Sequence, residues 1–229
     1  MDQAPSPRFG LTGVLGFNAG YVDTAGFLAL NGLFSAHVTG NFVTLAAALV
    51  HGTAGALAKL AALPVFCLLV IVSRIAAARM QAHAQPAMRR LLLAKIVLLA
   101  AAAAVFAMYG PFQDSDTPWA FLAGMLLVAA MAVQNAVQRM HLASAPPSTL
   151  MTGTTTQIMI DLADLCRGAS GEARAAALAR LRKMGPAVLT FAAGCALAAL
   201  AFVALGVWCF VLPPLAAVAA VLAAPGAQG

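Results

Sequence analysis

His37-Val38-Thr39-Gly40-Asn41-Phe42-Val43-Thr44-Leu45 and Leu150-Met151-Thr152-Gly153-Thr154-Thr155-Thr156-Gln157-Ile158 are two renderings of one pattern. Each has an apolar residue, then Thr-Gly, then a polar residue, then an apolar run with helical character. The wider segments Asn31–Val50 and Ala143–Cys166 open with Gly, Ser or Pro and turn helix-like for only two or three turns. A membrane-crossing helix needs about 20 apolar residues, so both segments are too short to cross. They are expected to dip into a bilayer and return to the side from which they entered.

The bilayer follows from composition. Of 229 residues, 62% are apolar and 9% charged, whereas soluble domains have about 45–50% and about 25%. A chain of this length cannot enclose so much apolar surface in water. Six spans fit around the two short segments: Leu11–Leu30, Leu57–Ile75, Leu91–Tyr109, Trp119–Met140, Ala187–Leu205 and Trp208–Ala224. Pro213 and Pro214 kink or start the last of these. The expectation is an all-α polytopic membrane protein forming one integral membrane domain.

Charge sets the orientation. Arg79, Arg89 and Arg90 share one loop, and Arg139 leads to a second basic stretch with Arg167, Arg174, Arg180, Arg182 and Lys183. With both short segments re-entrant, Arg8 and both basic loops lie on one side, and Asp114 and Asp116 on the other. Positive residues mark the cytoplasmic side, so both termini are expected there, with Lys59 the one exception. The basic stretch 167–185 is expected as a cytoplasmic loop or a short interfacial helix against anionic lipid.

Upstream of the paired motifs, Gly20-Tyr21-Val22-Asp23-Thr24-Ala25 aligns with Ala132-Val133-Gln134-Asn135-Ala136-Val137 when one residue is gapped. Each half then reads span, Thr-Gly re-entrant, span, span, over about 10–110 and about 118–225. Three spans per half invert the second copy, which gives a 3+3 inverted repeat. Transporters of this build hold their solute near the bilayer midplane, where interrupted helices meet.

Gly20-Tyr21-Val22-Asp23, Gly32-Leu33-Phe34, Ala36-His37-Val38-Thr39-Gly40-Asn41, Gln134-Asn135-Ala136 and Met151-Thr152-Gly153 together resemble the YoaK-like bacterial inner-membrane proteins, a domain-of-unknown-function family. The resemblance covers nearly the whole chain. It implies a multi-pass protein of the bacterial inner membrane and supplies no reaction or substrate. Thr154 stands where the first motif has Asn41, so the two halves differ chemically.

A helix that begins inside a membrane has backbone N–H groups needing partners. Thr39 and Thr152 are expected to cap such starts, Gly40 and Gly153 to permit close approach, and Asn41 and Thr154 to add hydrogen bonds. Asp23 is the sharpest residue, because an intramembrane carboxylate is costly and marks a functional site by default. It either couples protonation to solute movement or anchors a broken helix. Asn135, Gln134 and Gln138 are its counterparts in the second half, and Gln157 joins the Thr-rich cluster. Asp161 and Asp164 read as an interfacial ion pair near Arg167. Gly16 with Gly20, and Gly194 with Ala198, permit close helix pairing and a homo-oligomer.

Cys67, Cys166, Cys195 and Cys209 have no CxxC spacing, and the four histidines are scattered without metal-ligand spacing. No cofactor, metal site, catalytic constellation or nucleic-acid contact is expected. The leading function is a transporter or channel for a small polar or anionic solute. Its midplane site comprises Asp23, Thr39, Gly40, Asn41, Asn135, Thr152, Gly153, Thr154 and Gln157, where the two Thr-Gly half-helices meet. The alternative is a non-transporting membrane interaction or assembly protein.

Overall fold

The computed structural model describes residues 9–83, 86–149 and 151–223. Arg8, Leu150, Ala224 and both termini, which enter the expectations above, lie outside them. The described residues are helical with no strand. In chain order the helices are α1 (Phe9–Ala29), α2 (Asn41–His51), α3 (Ala56–Ala82), α4 (Ala87–Tyr109), α5 (Pro118–His141), α6 (Met151–Cys166), α7 (Gly171–Leu205) and α8 (Leu212–Ala223). Short 3-10 turns, Val38–Gly40 and Gly206–Val211, precede α2 and α8.

Among the described residues four stretches are long and apolar enough to cross a membrane: Ala56–Ala82, Ala87–Tyr109, Pro118–His141 and Gly171–Leu222. Side chains such as Val203 and Leu222, 86% and 79% exposed, suit lipid rather than water. The chain is a multi-pass helical membrane protein. α1 is not among the four stretches, because Asn18, Asp23 and several glycines dilute its apolar content. Both polar residues are buried inside the bundle, so its polarity faces protein.

α1 packs along α7 and α8, whereas α5 packs along α3 and α4; α2 lies on α3, and α6 on α7. The α1–α7 contact is backbone to backbone. A Cβ at Gly20 would collide with the Phe191 carbonyl, and one at Gly194 with the Phe17 carbonyl. The small residues that the sequence offers for helix pairing are therefore used within the chain. Small side chains suit this role, since association in lipid depends on close van der Waals approach.

At one end of the bundle the loops interlock. Asn31 Oδ1 accepts from the Ser115 backbone N–H at 2.9 Å and from the Ser115 hydroxyl at 2.7 Å. The Asp116 carboxylate accepts from the Leu57 and Ala58 N–H groups at 3.2 and 2.8 Å, closing the start of α3. The end of α1 and the starts of α3 and α5 thus share this end. Lys59 is buried there and donates to the Ala54 carbonyl. At the other end Leu11, Ala77, Leu91, Val137, Leu142 and Ala220 form one apolar cluster.

The basic stretch differs from the expected separate loop or interfacial helix: from residue 171 it is the first part of α7, which runs unbroken through Pro186 to Leu205. Its Ala-, Leu- and Arg-rich sequence has high helix propensity, enough to carry the helix into the following apolar span. Thirty-five residues make about 52 Å of helix, well beyond the ~30 Å hydrocarbon core. Before α8, Gly206–Val211 form a 3-10 turn, and Pro213 and Pro214 sit in the first turn of α8, where a missing N–H costs least.

Candidate functional site

α1 carries Asp23 into contact with the non-helical segment ahead of α2. Asp23 Oδ1 accepts from the backbone N–H groups of Ser35, Ala36 and His37 at 2.8, 2.7 and 3.4 Å. Its Oδ2 lies 2.6 Å from His37 Nδ1. Asp23 is 4% exposed. A carboxylate is a strong acceptor, and N–H groups converging on it satisfy both the charge and the orphaned donors. Of the two roles expected for Asp23, anchoring is the one visible in its contacts.

Asn41 completes the anchor from the other side. Its Oδ1 accepts from Phe34 N–H and its Nδ2 donates to the Phe34 carbonyl, both at 2.8 Å. This amide pair holds Phe34 as a neighbouring strand would. Phe34 in turn lies over Gly40, where a Cβ would come within 2.9 Å of the ring. Thr39 does not cap α2, whose start has no side-chain cap. The physical reason is that the broken backbone is satisfied from α1, leaving the Thr39 side chain exposed.

A cavity of about 540 Å³ opens between α1, residues 34–40 and α7. Asp23, Thr24, His37 and Thr39 supply its polar lining, and Phe27, Phe34 and Phe191 its aromatic walls. His37 meets Phe191 edge to face, with ring centroids 5.5 Å apart. Since Asp23 occupies Nδ1, His37 retains Nε2 as its second polar atom.

In the second half, Asn135 Oδ1 accepts from the Thr149 hydroxyl at 2.9 Å, across the same fourteen-residue separation as Asp23 and His37. Gln134 Nε2 donates to the Leu15 carbonyl and to the Ser148 hydroxyl, and Gln134 Oε1 accepts from Lys95. Gln138 donates to the Leu142 and Pro146 carbonyls. All three α5 residues hold the segment that leads into α6.

The nine residues expected to share one site do not come together. Asp23, Thr39 and Gly40 line the α1–α7 cavity. Asn41 is buried and committed to Phe34. Asn135 lines a separate cavity between α3 and α5, and Thr152 a shallow one on α6. Gly153 has open space around it, Thr154 is buried, and Gln157 donates to Asp161 at 3.0 Å. The Thr-Gly motifs are separated because α2 docks on α3 and α6 on α7, so the short helices do not face each other.

Asp161 pairs with Arg180 of α7, at 2.6 Å from Nη2 to Oδ1, rather than with Arg167. The Arg180 hydrogen bonds hold its carboxyl below the ordinary carboxylate range. His37, Phe34 and Phe191 line the cavity but are not among the nine residues expected for the site. His37 stands immediately ahead of Val38-Thr39-Gly40, but nothing in spacing links it to Asp23. Among the described residues no group of three or more His, Cys, Asp and Glu is placed to hold a metal ion.

The fold and this site define a multi-pass helical membrane protein with a buried acidic anchor beside an aromatic-walled cavity. Residues 11–223 match the family described as Protein of unknown function (DUF1275), and the chain belongs to that family. No curated protein and no solved structure matches the chain.

Proposed function

We propose that this protein is a transporter of a small polar or anionic solute, built from six spans and two re-entrant segments in two inverted halves. The observation that carries this reading is a correspondence between two cavities. The α1–α7 cavity takes Asp23, Thr24 and Phe27 from α1; the α3–α5 cavity takes Asn135, Ala136 and Arg139 from α5, at one constant sequence offset. Phe191 and Cys195 of α7 correspond likewise to Phe66 and Val70 of α3. The exchanged packing of α1 on α7 and α8, and of α5 on α3 and α4, agrees with this.

Asp23 and Asn135 each precede the last residue of their helix by six positions, about 9 Å of helix. α1 ends at the loop knot near Asp116, and α5 starts there. The two polar centres therefore belong near opposite faces of the bundle, and this replaces a single midplane site. Exposure of one cavity at a time to each side is the simplest use of such a pair. The arginine-rich end is assigned to the cytoplasm of a bacterial inner membrane, and the Asp114–Asp116 loop to the outside. In the first cavity the Thr24 and Thr39 hydroxyls can donate hydrogen bonds, while His37 Nε2 accepts one when the ring is neutral and donates one when it is protonated, so the solute carries polar or anionic groups. The reading is non-enzymatic.

Purified protein in liposomes tests it. Stopped-flow uptake of small monocarboxylates, inorganic anions and neutral polar solutes, under imposed pH and voltage gradients, should exceed that of protein-free vesicles. His37→Ala should reduce that uptake. No flux for any solute under either gradient overturns transport. The assembly reading is favoured by one specific observation, that every polar atom of Asp23 and Asn41 is spent on backbone or His37. Under that reading Asp23→Ala removes folding or complex formation, with no flux to lose.

A further inference from the structure

The α3–α5 cavity, about 310 Å³, has a chemistry its counterpart lacks: Arg74 and Arg139 both line it. Neither guanidinium has an ion-pair partner among the described residues. Among the described residues no carboxylate lines the cavity. Asn135 cannot serve as a countergroup, since its Oδ1 is taken by Thr149 and its Nδ2 donates to the Met131 carbonyl at 2.9 Å. His141, at the end of α5, has a buried Nε2 without a hydrogen-bond partner among the described residues.

Arg74 and Arg139 are both exposed where they line the cavity; two like charges lining one cavity repel, and an anion bridging them converts that repulsion into attraction. Guanidinium forks match tetrahedral oxyanions through paired N–H donors. α3 and α5 both start at the Asp116 knot, so Arg74 and Arg139 lie toward the opposite, basic end of the bundle. Beside them, Phe66, Val70 and Met140 form an apolar wall. We propose that Arg74 and Arg139 form a binding site for a phosphate-type oxyanion, suited by that wall to the headgroup of an anionic phospholipid and sharing its chemistry with free phosphate. The site stands whether or not the chain moves a solute.

The test uses the full chain purified in a neutral detergent. Native mass spectrometry with added phosphatidylglycerol or phosphatidylcholine should show phosphatidylglycerol retained by the wild type. Arg74→Gln/Arg139→Gln should weaken it about tenfold, in line with the loss of charge-assisted hydrogen bonds. Arg79→Gln/Arg89→Gln, which removes equal charge outside the cavity, should leave it unchanged. Phenylglyoxal modification of the wild type, mapped by peptide mass spectrometry, gives a readout independent of any variant's folding: phosphatidylglycerol should slow modification of Arg74 and Arg139 but not of Arg79 or Arg89. Protection by inorganic phosphate and not by the lipid would assign the site to the free ion. Equal loss of binding in both double variants, or no protection by either ligand, overturns the proposal.

Discussion

Asp23 and His37 meet at 2.6 Å between Oδ2 and Nδ1, while the other carboxylate oxygen gathers the N–H groups of residues 35–37. One buried side chain of α1 thus holds the entry to α2 and one wall of the cavity. The fold and the candidate site share this contact.

Replacing Asp23 tests that coupling. Asp23→Ala strips the buried N–H groups of their acceptor and should lower stability by about 3 kcal/mol or more, as expected for buried donors left unpaired. Asp23→Asn keeps one acceptor oxygen and should lose less. Denaturant unfolding in mixed micelles, followed by circular dichroism, checks the order; equal losses would show that acceptor capacity is not what matters.

Asn41 offers a sharper contrast. Asn41→Asp puts an oxygen against the Phe34 carbonyl where an amide N–H now donates, so it should destabilise more than Asn41→Ser. The difference should be about 1–2 kcal/mol, the scale of a lost hydrogen bond plus an unmatched buried acceptor. The same unfolding measurement reads it, and a tolerated Asp would refute the Phe34 pairing.

The glycines at the α1–α7 crossing should resist any side chain. Gly20→Val and Gly194→Val each drive a Cβ into a carbonyl of the facing helix, with a cost of about 3 kcal/mol or more from overpacking and backbone displacement. Gly153→Ala, with open space around it, should change stability by less than about 0.5 kcal/mol. Yield of monodisperse protein on gel filtration separates the two sites.

Lys95 and Gln134 are buried and bonded to each other. Gln134→Leu alone leaves the buried Lys95 amine without its acceptor and should cost about 3 kcal/mol, whereas Lys95→Met/Gln134→Leu together should cost less than the two single changes added. Additive losses in a double-mutant cycle would contradict a direct interaction.

The Asp161–Arg180 pair predicts an acid response of α6. Arg180 holds the Asp161 carboxyl below its ordinary 3.8. A lowered folded-state value means that the pair stabilises above the unfolded-state value and loses its effect as pH falls through the folded-state one. Hydrogen exchange of α6 should therefore stay slow as pH drops to about 4, with a loss of protection only below that. In Arg180→Ala, protection should already be weak at neutral pH. An α6 that loosens equally with and without Arg180 would refute the link.

Much of this was legible along the chain, because a bilayer writes itself into composition and run length. The excess of apolar residues, the polar interruptions at Asp23 and Asn135, the short helix after the first Thr-Gly and the one that begins at Met151 and contains the second, and the small residues at 16, 20, 194 and 198 are local properties of sequence. They report which residues face lipid and which need partners. What packing alone decided was the identity of those partners. Gly20 meets Phe191 of α7, Asp23 closes on the backbone of residues 35–37, and Asp161 takes Arg180. The two Thr-Gly segments are held apart by α3 and α7 instead of meeting. Such pairings join positions far apart in the chain, and their energies depend on which helix faces which, a matter on which periodicity and charge are silent.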